Sequence, residues 1–142
     1  MHTDKMKGRL MTNRAQGFAA HLNELEAGGD VEQFVASVFT EDAELVRPEA
    51  QQQLQGGSGA RVFWEQYLAH FDTIRSDFVR LVDTDQLSVL EWRSQGRLRS
   101  GAAITYSGVS ILDFDEGGRV RRFATYYDTS PFHAPPLPGQ EA

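Results

Sequence analysis

Apolar residues recur at helical spacing in three segments of the first half of the chain, and this pattern predicts three helices. In the first segment, Phe18, Leu22 and Leu25 share one helical face. Asn13 is placed to cap the start of this helix, and the glycine pair at 28–29 ends it.

Two further helices are predicted by the same signals. Asp30 is placed to cap a second helix that extends to Val38. Ser58 begins a third helix that runs to about His70, with aromatic side chains at helical spacing.

The rest of the chain is dominated by segments that alternate between apolar and polar residues, as strands with one buried face do. The predicted strands cover residues 43–47, 51–54, 78–82, 87–97, 102–114 and 119–128. A tight hairpin is expected at Glu116–Gly118. The order is therefore α-α-β-β-α-β-β-β-β. Helices that cluster early and strands that cluster late predict an α+β fold with an antiparallel sheet, which would bend around a small-molecule pocket.

The length of 142 residues favours one domain. We expect a flexible N-terminus over residues 1–12, one folded domain over residues 13–130, and a proline-rich tail over residues 131–142. The prolines of this tail predict that it forms neither helix nor strand.

Composition excludes several classes of function. The net charge of −6 disfavours nucleic acid or an anionic membrane as a partner, since phosphate binding needs a basic face. The absence of cysteine removes disulfides and thiolate chemistry. No apolar stretch approaches a membrane span, and the N-terminus lacks the apolar core of a signal peptide, so we expect a cytoplasmic protein. Neither metal-ligand spacing nor a cofactor fingerprint occurs, so no metal or cofactor is predicted.

Several short motifs follow one another in a characteristic order. They are Phe39–Ala43, the glycine-rich turn before the third helix, Leu90–Trp92, Gly108–Ile111, Gly118–Val120 and Tyr126–Asp128. Together they resemble the SnoaL-like branch of the nuclear transport factor two-like superfamily over residues 13–130. The resemblance implies a cone-shaped α+β barrel, with three N-terminal helices packed on a curved, mostly antiparallel sheet. Members of this superfamily include polyketide cyclases, limonene epoxide hydrolase, ketosteroid isomerase, dehydratases and binding domains without activity, so the fold does not fix the function.

Alternation along each strand predicts which side chains face the cavity of such a cone. If Trp92 points inward, Leu90 and Ser94 do so as well. The predicted ligand-binding residues are Leu45, Arg47, Trp64, Tyr67, Leu90, Trp92, Ser94, Tyr106, Ser110, Phe123, Thr125 and Tyr127. The opposite face carries a second set of apolar residues, namely Val89, Thr105, Val109, Ile111, Ala124 and Tyr126. That face is too apolar for full exposure, so we expect a homodimer formed through the outer face of the sheet.

The resemblance also indicates which catalytic groups are missing. The acidic and basic positions of the epoxide hydrolases fall on Trp92, Ser94 and Thr125. The base of the ketosteroid isomerases falls on Arg47, and their second aspartate falls on Ser110. None of these side chains can accept a proton near neutral pH.

Three ionisable residues remain as catalytic candidates: Asp128, His70 and Arg47. Arg47 could bind a carboxylate or polarise a carbonyl, or it could reach solvent from a strand edge. Asp128 matches the acid–base aspartate that polyketide cyclases carry on the last strand, but alternation places it outward, where it would cap or bridge. His70 and His21 would each need an orienting partner to act as a base.

Three functions are therefore compatible with the sequence. The first is a protein that binds a small apolar or oxygenated ligand in an apolar, hydroxyl-lined cavity without catalysis. The second is an isomerase, cyclase or hydratase that acts on a polyketide-, steroid- or terpenoid-like molecule. The third is an interaction module that uses the sheet face alone.

Overall fold

The computed structural model of the protein describes residues 14–47 and 52–133. The helices are α1 (Arg14–Glu26), α2 (Val31–Val38), α3 (Gly56–Leu68) and the short α4 (Ser130–His133). The strands are β1 (Phe39–Arg47), β2 (Gln52–Gln55), β3 (Phe71–Asp83), β4 (Leu87–Leu98), β5 (Ala103–Phe114) and β6 (Val120–Tyr127). The predicted order of elements is confirmed, and α4 is added at its end.

The six strands form one sheet in the order β2-β1-β6-β5-β4-β3. All pairs are antiparallel except β1 with β6, which is parallel. The order is linear, so the curved sheet stays open, with β2 and β3 at its edges. The apolar faces of α1, α2 and α3 cover one side of the sheet and share one core with it. The predicted α+β cone, with three helices on a mostly antiparallel sheet, is therefore confirmed.

Two local signals act as the sequence predicts. Asp30 caps α2, and its Oδ1 accepts the backbone N–H of Glu32 at 3.1 Å. Alternation in β4 buries Ser88, Leu90, Trp92 and Ser94 on the helix-covered face.

Strand β3 is longer than predicted. The sequence predicts a strand over residues 78–82 and a helix that reaches His70, whereas β3 starts at Phe71 and α3 ends at Leu68. The cause is a break of the period-two pattern, because the register between β3 and β4 shifts between Phe71 and Thr73 and again between Phe78 and Arg80.

The segment after β6 departs from its prediction as well. The tail from Pro131 was expected to hold no helix, but Ser130–His133 form one helical turn. Proline is tolerated there because its missing N–H would be unpaired at a helix start in any case. The rest of the predicted tail, the predicted N-terminus and the predicted cap at Asn13 lie outside the described residues. Those predictions stay predictions, as do the domain boundaries.

Gly108 allows the close approach of β4, β5 and β6. It lies opposite Trp92 in the register of β4 and β5. A Cβ atom at this position would lie 2.6 Å from Trp92 Cζ2 and 2.5 Å from the carbonyl oxygen of Tyr126. The absence of a side chain at Gly108 therefore leaves the space that the Trp92 indole occupies.

Candidate ligand-binding cavity

A cavity lies between helices α1 and α3 and the covered face of the sheet. Its walls are made by Leu22, Arg47, Phe63, Trp64, Tyr67, Ser76, Trp92, Ser94, Ser110, Phe123, Thr125 and Tyr127. Its volume is about 30 Å³, which is room for about two water molecules. A ligand of several carbon atoms would therefore have to displace wall side chains, and Tyr67 and Tyr127 are only partly buried.

Hydrogen bonds join the polar groups on one side of the cavity. Trp92 Nε1 donates to Ser110 Oγ at 3.0 Å, and Ser110 Oγ pairs with Thr125 Oγ1 at 2.9 Å. Trp92, Ser94 and Thr125 are 8%, 0% and 6% exposed. These three residues, onto which the resemblance maps the acids and bases of the epoxide hydrolases, are thus buried, and none of them is ionisable.

A carboxylate that sequence reasoning missed is joined to the cavity wall through Ser76. Glu26, the last residue of α1, accepts the Ser76 N–H at 3.0 Å and the Ser76 hydroxyl at 2.7 Å. Ser76 Oγ in turn pairs with Ser94 Oγ at 2.5 Å. The signal in the sequence is that Glu26 follows Leu22 by four residues, so it shares the apolar face of α1. Ser76 was missed because its segment of β3 was not predicted as a strand.

This chain of hydroxyls continues to two tyrosines. Tyr106 interacts with the Ser94 side chain, and its phenolic oxygen pairs with that of Tyr67. Burial is the main reason why the pKa of each tyrosine is raised above its ordinary value. Both phenols are therefore neutral at physiological pH, and a continuous chain of neutral hydroxyls connects Glu26 to the cavity wall at Tyr67.

Burial also raises the pKa of Glu26, and the nearby charge of Asp77 acts in the same direction. The two hydrogen bonds from Ser76 oppose this shift, because they stabilise the ionised carboxylate. The net direction is upward, so Glu26 is a stronger proton acceptor than an ordinary surface glutamate.

Arg47 lies in the cavity wall. It is 9% exposed, and its guanidinium carbon lies 5.5 Å from the centre of the Phe63 ring. The alternative interpretation, in which Arg47 extends from a strand edge into solvent, is therefore wrong. A guanidinium over an aromatic face is a favourable cation–π arrangement, and it keeps a positive charge beside the cavity.

The other predicted catalytic candidates lie outside the cavity wall. Asp128 is exposed, and its Oδ1 accepts the Ser130 N–H at 3.0 Å, which caps α4 and lowers the pKa of the carboxyl group. His21 and His70 both lie largely in solvent. The covered part of the His70 ring and the charge of Arg47 together lower the pKa of His70. Neither histidine lines the cavity beside a carboxylate.

Most of the predicted ligand-binding residues lie in the wall. Nine of the twelve do so. Of the other three, Leu45 and Leu90 are fully buried in the core, and Tyr106 is buried with its hydroxyl paired to that of Tyr67. Leu22, Phe63 and Ser76 line the cavity without having been predicted. The role of the twelve predicted residues in ligand binding stays a prediction.

A second hollow of about 170 Å³ lies at the surface between α1 and α2. His21, Asp30 and most of its other lining residues are exposed, so it is a polar surface groove.

In the part of the chain that the structure describes, no three His, Asp or Glu side chains come together in a way that could hold a metal ion. Within the same residues, no helix is long and apolar enough to cross a membrane.

The fold and this cavity define a class of α+β cone proteins with one aromatic, hydroxyl-bearing pocket under the helices. The family model described as the SnoaL-like domain matches residues 18–123. The chain therefore belongs to the SnoaL-like domain family, as its motifs suggested. A comparison with curated proteins finds no match.

Solved structures share the fold at low sequence identity. A structure from Jannaschia sp. CCS1 that is described as a SnoaL-like polyketide cyclase superposes with a TM-score of 0.75 at 14% identity, over 89% of this chain and 96% of that one. A protein with a ketosteroid isomerase-like fold from Catenulispora acidiphila, in complex with trimethylamine, gives a TM-score of 0.70 at 11% identity, over 80% of this chain and 87% of that one. TerC co-crystallised with polyporic acid gives 0.72 at 17% identity, over 87% and 95%. At these identities the likeness establishes the fold alone.

Proposed function

We propose that this protein binds a small, mostly apolar molecule that carries oxygen atoms, in the cavity between α1, α3 and the sheet. The observation that carries the proposal is the composition of the cavity wall. Aromatic rings and paired hydroxyls dominate it, and Arg47 is the one charged side chain among its residues. Such a wall favours an apolar body with a few oriented polar contacts, which is typical of ligand pockets. The complexes of the Catenulispora protein and of TerC support the idea that this fold accommodates small molecules.

The small cavity volume sets a condition on this proposal. Ligand pockets usually measure at least ~300 Å³, so binding requires an outward movement of aromatic side chains. Tyr127 and Phe132 are partly exposed and their ring centres lie 5.9 Å apart, so we expect these two side chains to move.

A location in the cytoplasm stays part of the proposal.

Native mass spectrometry of freshly purified protein tests the binding proposal with two neighbouring substitutions. Ser94 faces the cavity and is fully buried, whereas Gln95 is exposed on the other face of β4. Ser94→Leu should fill the cavity and remove any co-purified or added ligand, and Gln95→Leu should retain it. Equal retention by both folded variants would contradict the proposal.

A second candidate function is supported by the hydroxyl chain that ends at Glu26. In this alternative, the protein is an isomerase, cyclase or hydratase that uses Glu26 as its base. A proton from the carbon beside a ligand carbonyl would pass along the hydroxyls to the Glu26 carboxylate, and the resulting enolate oxygen would be stabilised by Arg47. The proton returns by the same route.

Deuterium exchange tests this catalytic alternative. A small ketone such as cyclohexanone, incubated with the protein in D₂O, should gain deuterium beside its carbonyl faster than in buffer. Glu26→Gln should abolish the acceleration, whereas Glu24→Gln, on the exposed side of the same helix, should leave it unchanged. If the wild-type protein gives no acceleration, the catalytic alternative is wrong and ligand binding alone is retained.

The outer face of the sheet supports a homodimer. Directly paired aliphatic residues form a row across five strands, namely Val82, Val89, Ile111, Ala124 and Val46. Val82 is 44% exposed in the single chain. Ala124 is already buried in the single chain, whereas Val82, Val89, Ile111 and Val46 are at least partly exposed. A second copy of the same sheet would remove these four side chains from water.

A further inference from the structure

The hydroxyl chain, which consists of Ser76, Ser94, Tyr106 and Tyr67, starts from a contact of fixed direction. Its first three members are directly paired neighbours on β3, β4 and β5. Ser76 lies against the Glu26 carboxylate with its N–H at 3.0 Å and its hydroxyl at 2.7 Å. A carboxylate has no proton to give, so the Ser76 hydroxyl is the donor of the second contact.

Each hydroxyl has only one proton, and this sets the direction of the remaining contacts. Because the Ser76 proton lies on Glu26, Ser76 Oγ accepts its 2.5 Å contact from Ser94. Ser94 then accepts from Tyr106, and Tyr106 accepts from Tyr67. Burial raises the pKa of both tyrosines, but the contact between them lowers the pKa of Tyr106 and raises that of Tyr67. These opposite effects are those expected of an acceptor and a donor.

The hydroxyl chain therefore offers only acceptors to the cavity. Ser76, Ser94 and Tyr67 belong to the cavity wall, and among the described residues each of their hydroxyl protons is donated along the chain. A hydroxyl oxygen has two lone pairs, and at least one stays open on each of these three residues. A polar ligand group that meets this part of the wall is consequently bound best when it donates a hydrogen bond.

A donor lies open beside the end of this chain. Trp64 precedes Tyr67 by three residues on α3, and the centres of the two rings lie 5.8 Å apart. Trp64 is 3% exposed and lines the same cavity, yet its Nε1 atom makes no hydrogen bond to any residue that the structure describes. Buried indole N–H groups usually have a partner, as the Trp92 N–H has in Ser110. An acceptor and an open donor are thus neighbours in one wall.

We propose that the ligand of this cavity is an apolar molecule with a hydroxyl group, and that Glu26 is a positioning residue that selects this group by fixing the direction of the hydroxyl chain. The proposal rests on the proposed ligand-binding function and narrows it to one chemical class. A hydroxyl group donates and accepts at once, so it can donate to Tyr67 and accept from Trp64. A ketone or ether oxygen only accepts, and it would place a second acceptor against Tyr67.

Glu26→Gln should reverse the direction of the chain. The Ser76 N–H holds the amide oxygen at the position of Oε1, so the amide NH₂ takes the position of Oε2 and donates to Ser76 Oγ. Ser76 then donates to Ser94, and the reversal continues to Tyr67, whose proton becomes free for a ligand. The wall of this variant favours a ligand that only accepts.

Phenol, anisole and toluene test this selectivity, because phenol donates and accepts, anisole only accepts, and toluene does neither. Each is titrated into ¹⁵N-labelled protein at mildly alkaline pH, where phenol is still neutral, and its affinity is read from the NMR shifts of wall residues. Wild-type protein should bind phenol about tenfold more tightly than anisole. This ratio should fall to about one or below in Glu26→Gln, whereas Glu24→Gln, at an exposed position of the same helix, should keep the wild-type ratio.

Two further variants test the chain and the indole separately. Tyr106→Phe removes a hydroxyl from the middle of the chain and frees the Tyr67 proton, so the preference for phenol should again be lost. This result does not depend on the folding of Glu26→Gln. Trp64→Phe keeps an aromatic ring and removes the N–H, so it should weaken phenol and anisole alike, by about fivefold, and leave toluene unchanged.

The possible failures are distinguishable. If wild-type protein binds phenol no more tightly than anisole, or if the ratio persists in Glu26→Gln and Tyr106→Phe, the hydroxyl inference is overturned while the cavity-binding proposal survives. If Glu24→Gln loses the preference as well, the direction of the chain is not its cause and the inference is likewise wrong. If none of the three probes perturbs the cavity, the proposed function fails together with the inference.

Discussion

The Ser76 hydroxyl donates to Glu26 Oε2 over 2.7 Å, and the Ser76 N–H donates to Oε1 over 3.0 Å. This double contact joins the end of α1 to β3 and holds the Glu26 carboxylate against Ser76, which lines the cavity. Removing one partner of such a buried polar contact usually costs roughly 1–3 kcal/mol. Glu26 therefore connects the stability of the fold to the polar groups of the site.

The raised pKa of Glu26 predicts a specific dependence of stability on pH. The folded state holds the carboxyl proton more strongly than the unfolded chain, in which the pKa of this group is near 4.5. The free energy of unfolding should therefore fall as pH rises from about 4.5 through the raised pKa, and it should level off above it.

Glu26→Gln removes this titration. The free energy of unfolding of both proteins is measured with denaturant at several pH values. Across that window, the wild-type value should fall relative to the Glu26→Gln value as pH rises. Glu24→Gln, at an exposed position of the same helix, separates this effect from a general loss of negative charge. A difference that is constant with pH would contradict the described burial of Glu26.

The space at Gly108 predicts opposite outcomes for two glycine substitutions. Gly108→Ala would place a methyl group against Trp92 and the Tyr126 backbone, so it should lower the free energy of unfolding by about 3 kcal/mol. Gly17→Ala, inside α1 with open space around it, should raise that energy by roughly 0.5–1 kcal/mol. Thermal or urea unfolding checks both. An unchanged stability of Gly108→Ala would mean that Trp92 does not lie against β5.

The position of Arg47 can be checked through His70. Partial burial and the Arg47 charge both lower the pKa of this histidine below 6.5. Arg47→Met should therefore raise the His70 pKa partway toward 6.5, because the contribution of burial remains. Proton NMR of the His70 ring signals as a function of pH measures this shift. An unchanged titration of His70 would place the guanidinium elsewhere.

The aliphatic row on the outer face predicts the oligomeric state. The wild-type protein should be a dimer by light scattering at tens of micromolar. Ile111→Lys places a charge in the middle of the row and should give a monomer with an unchanged fold. Asn23→Lys, at an exposed position of α1 on the other side of the sheet, should remain dimeric. A monomeric wild type would refute the predicted homodimer.

The sequence predicts most of the fold because its signals are local. Alternation in β4 buries Ser88, Leu90, Trp92 and Ser94, and register then carries this pattern to β5 and β6. The start of β3 could not be predicted, since two register shifts interrupt the alternation that reveals a strand.

The site is predictable only in part, for a different reason. Glu26 and Ser76 are 50 residues apart in the chain, so no local pattern joins them. The burial of Arg47 likewise depends on a contact with Phe63 of α3, and a strand pattern alone cannot distinguish it from a surface arginine. Interactions between distant segments decide these features.

NMR mapping of toluene binding tests the central claim most directly. The claim is that the space between α1, α3 and the sheet accepts a small apolar molecule. On titration with toluene, the largest shifts should occur at Leu22, Trp92 and Phe123, which line that space. Shifts confined to Val82 and Ile111 on the outer face, or no saturable shifts at all, would contradict the account.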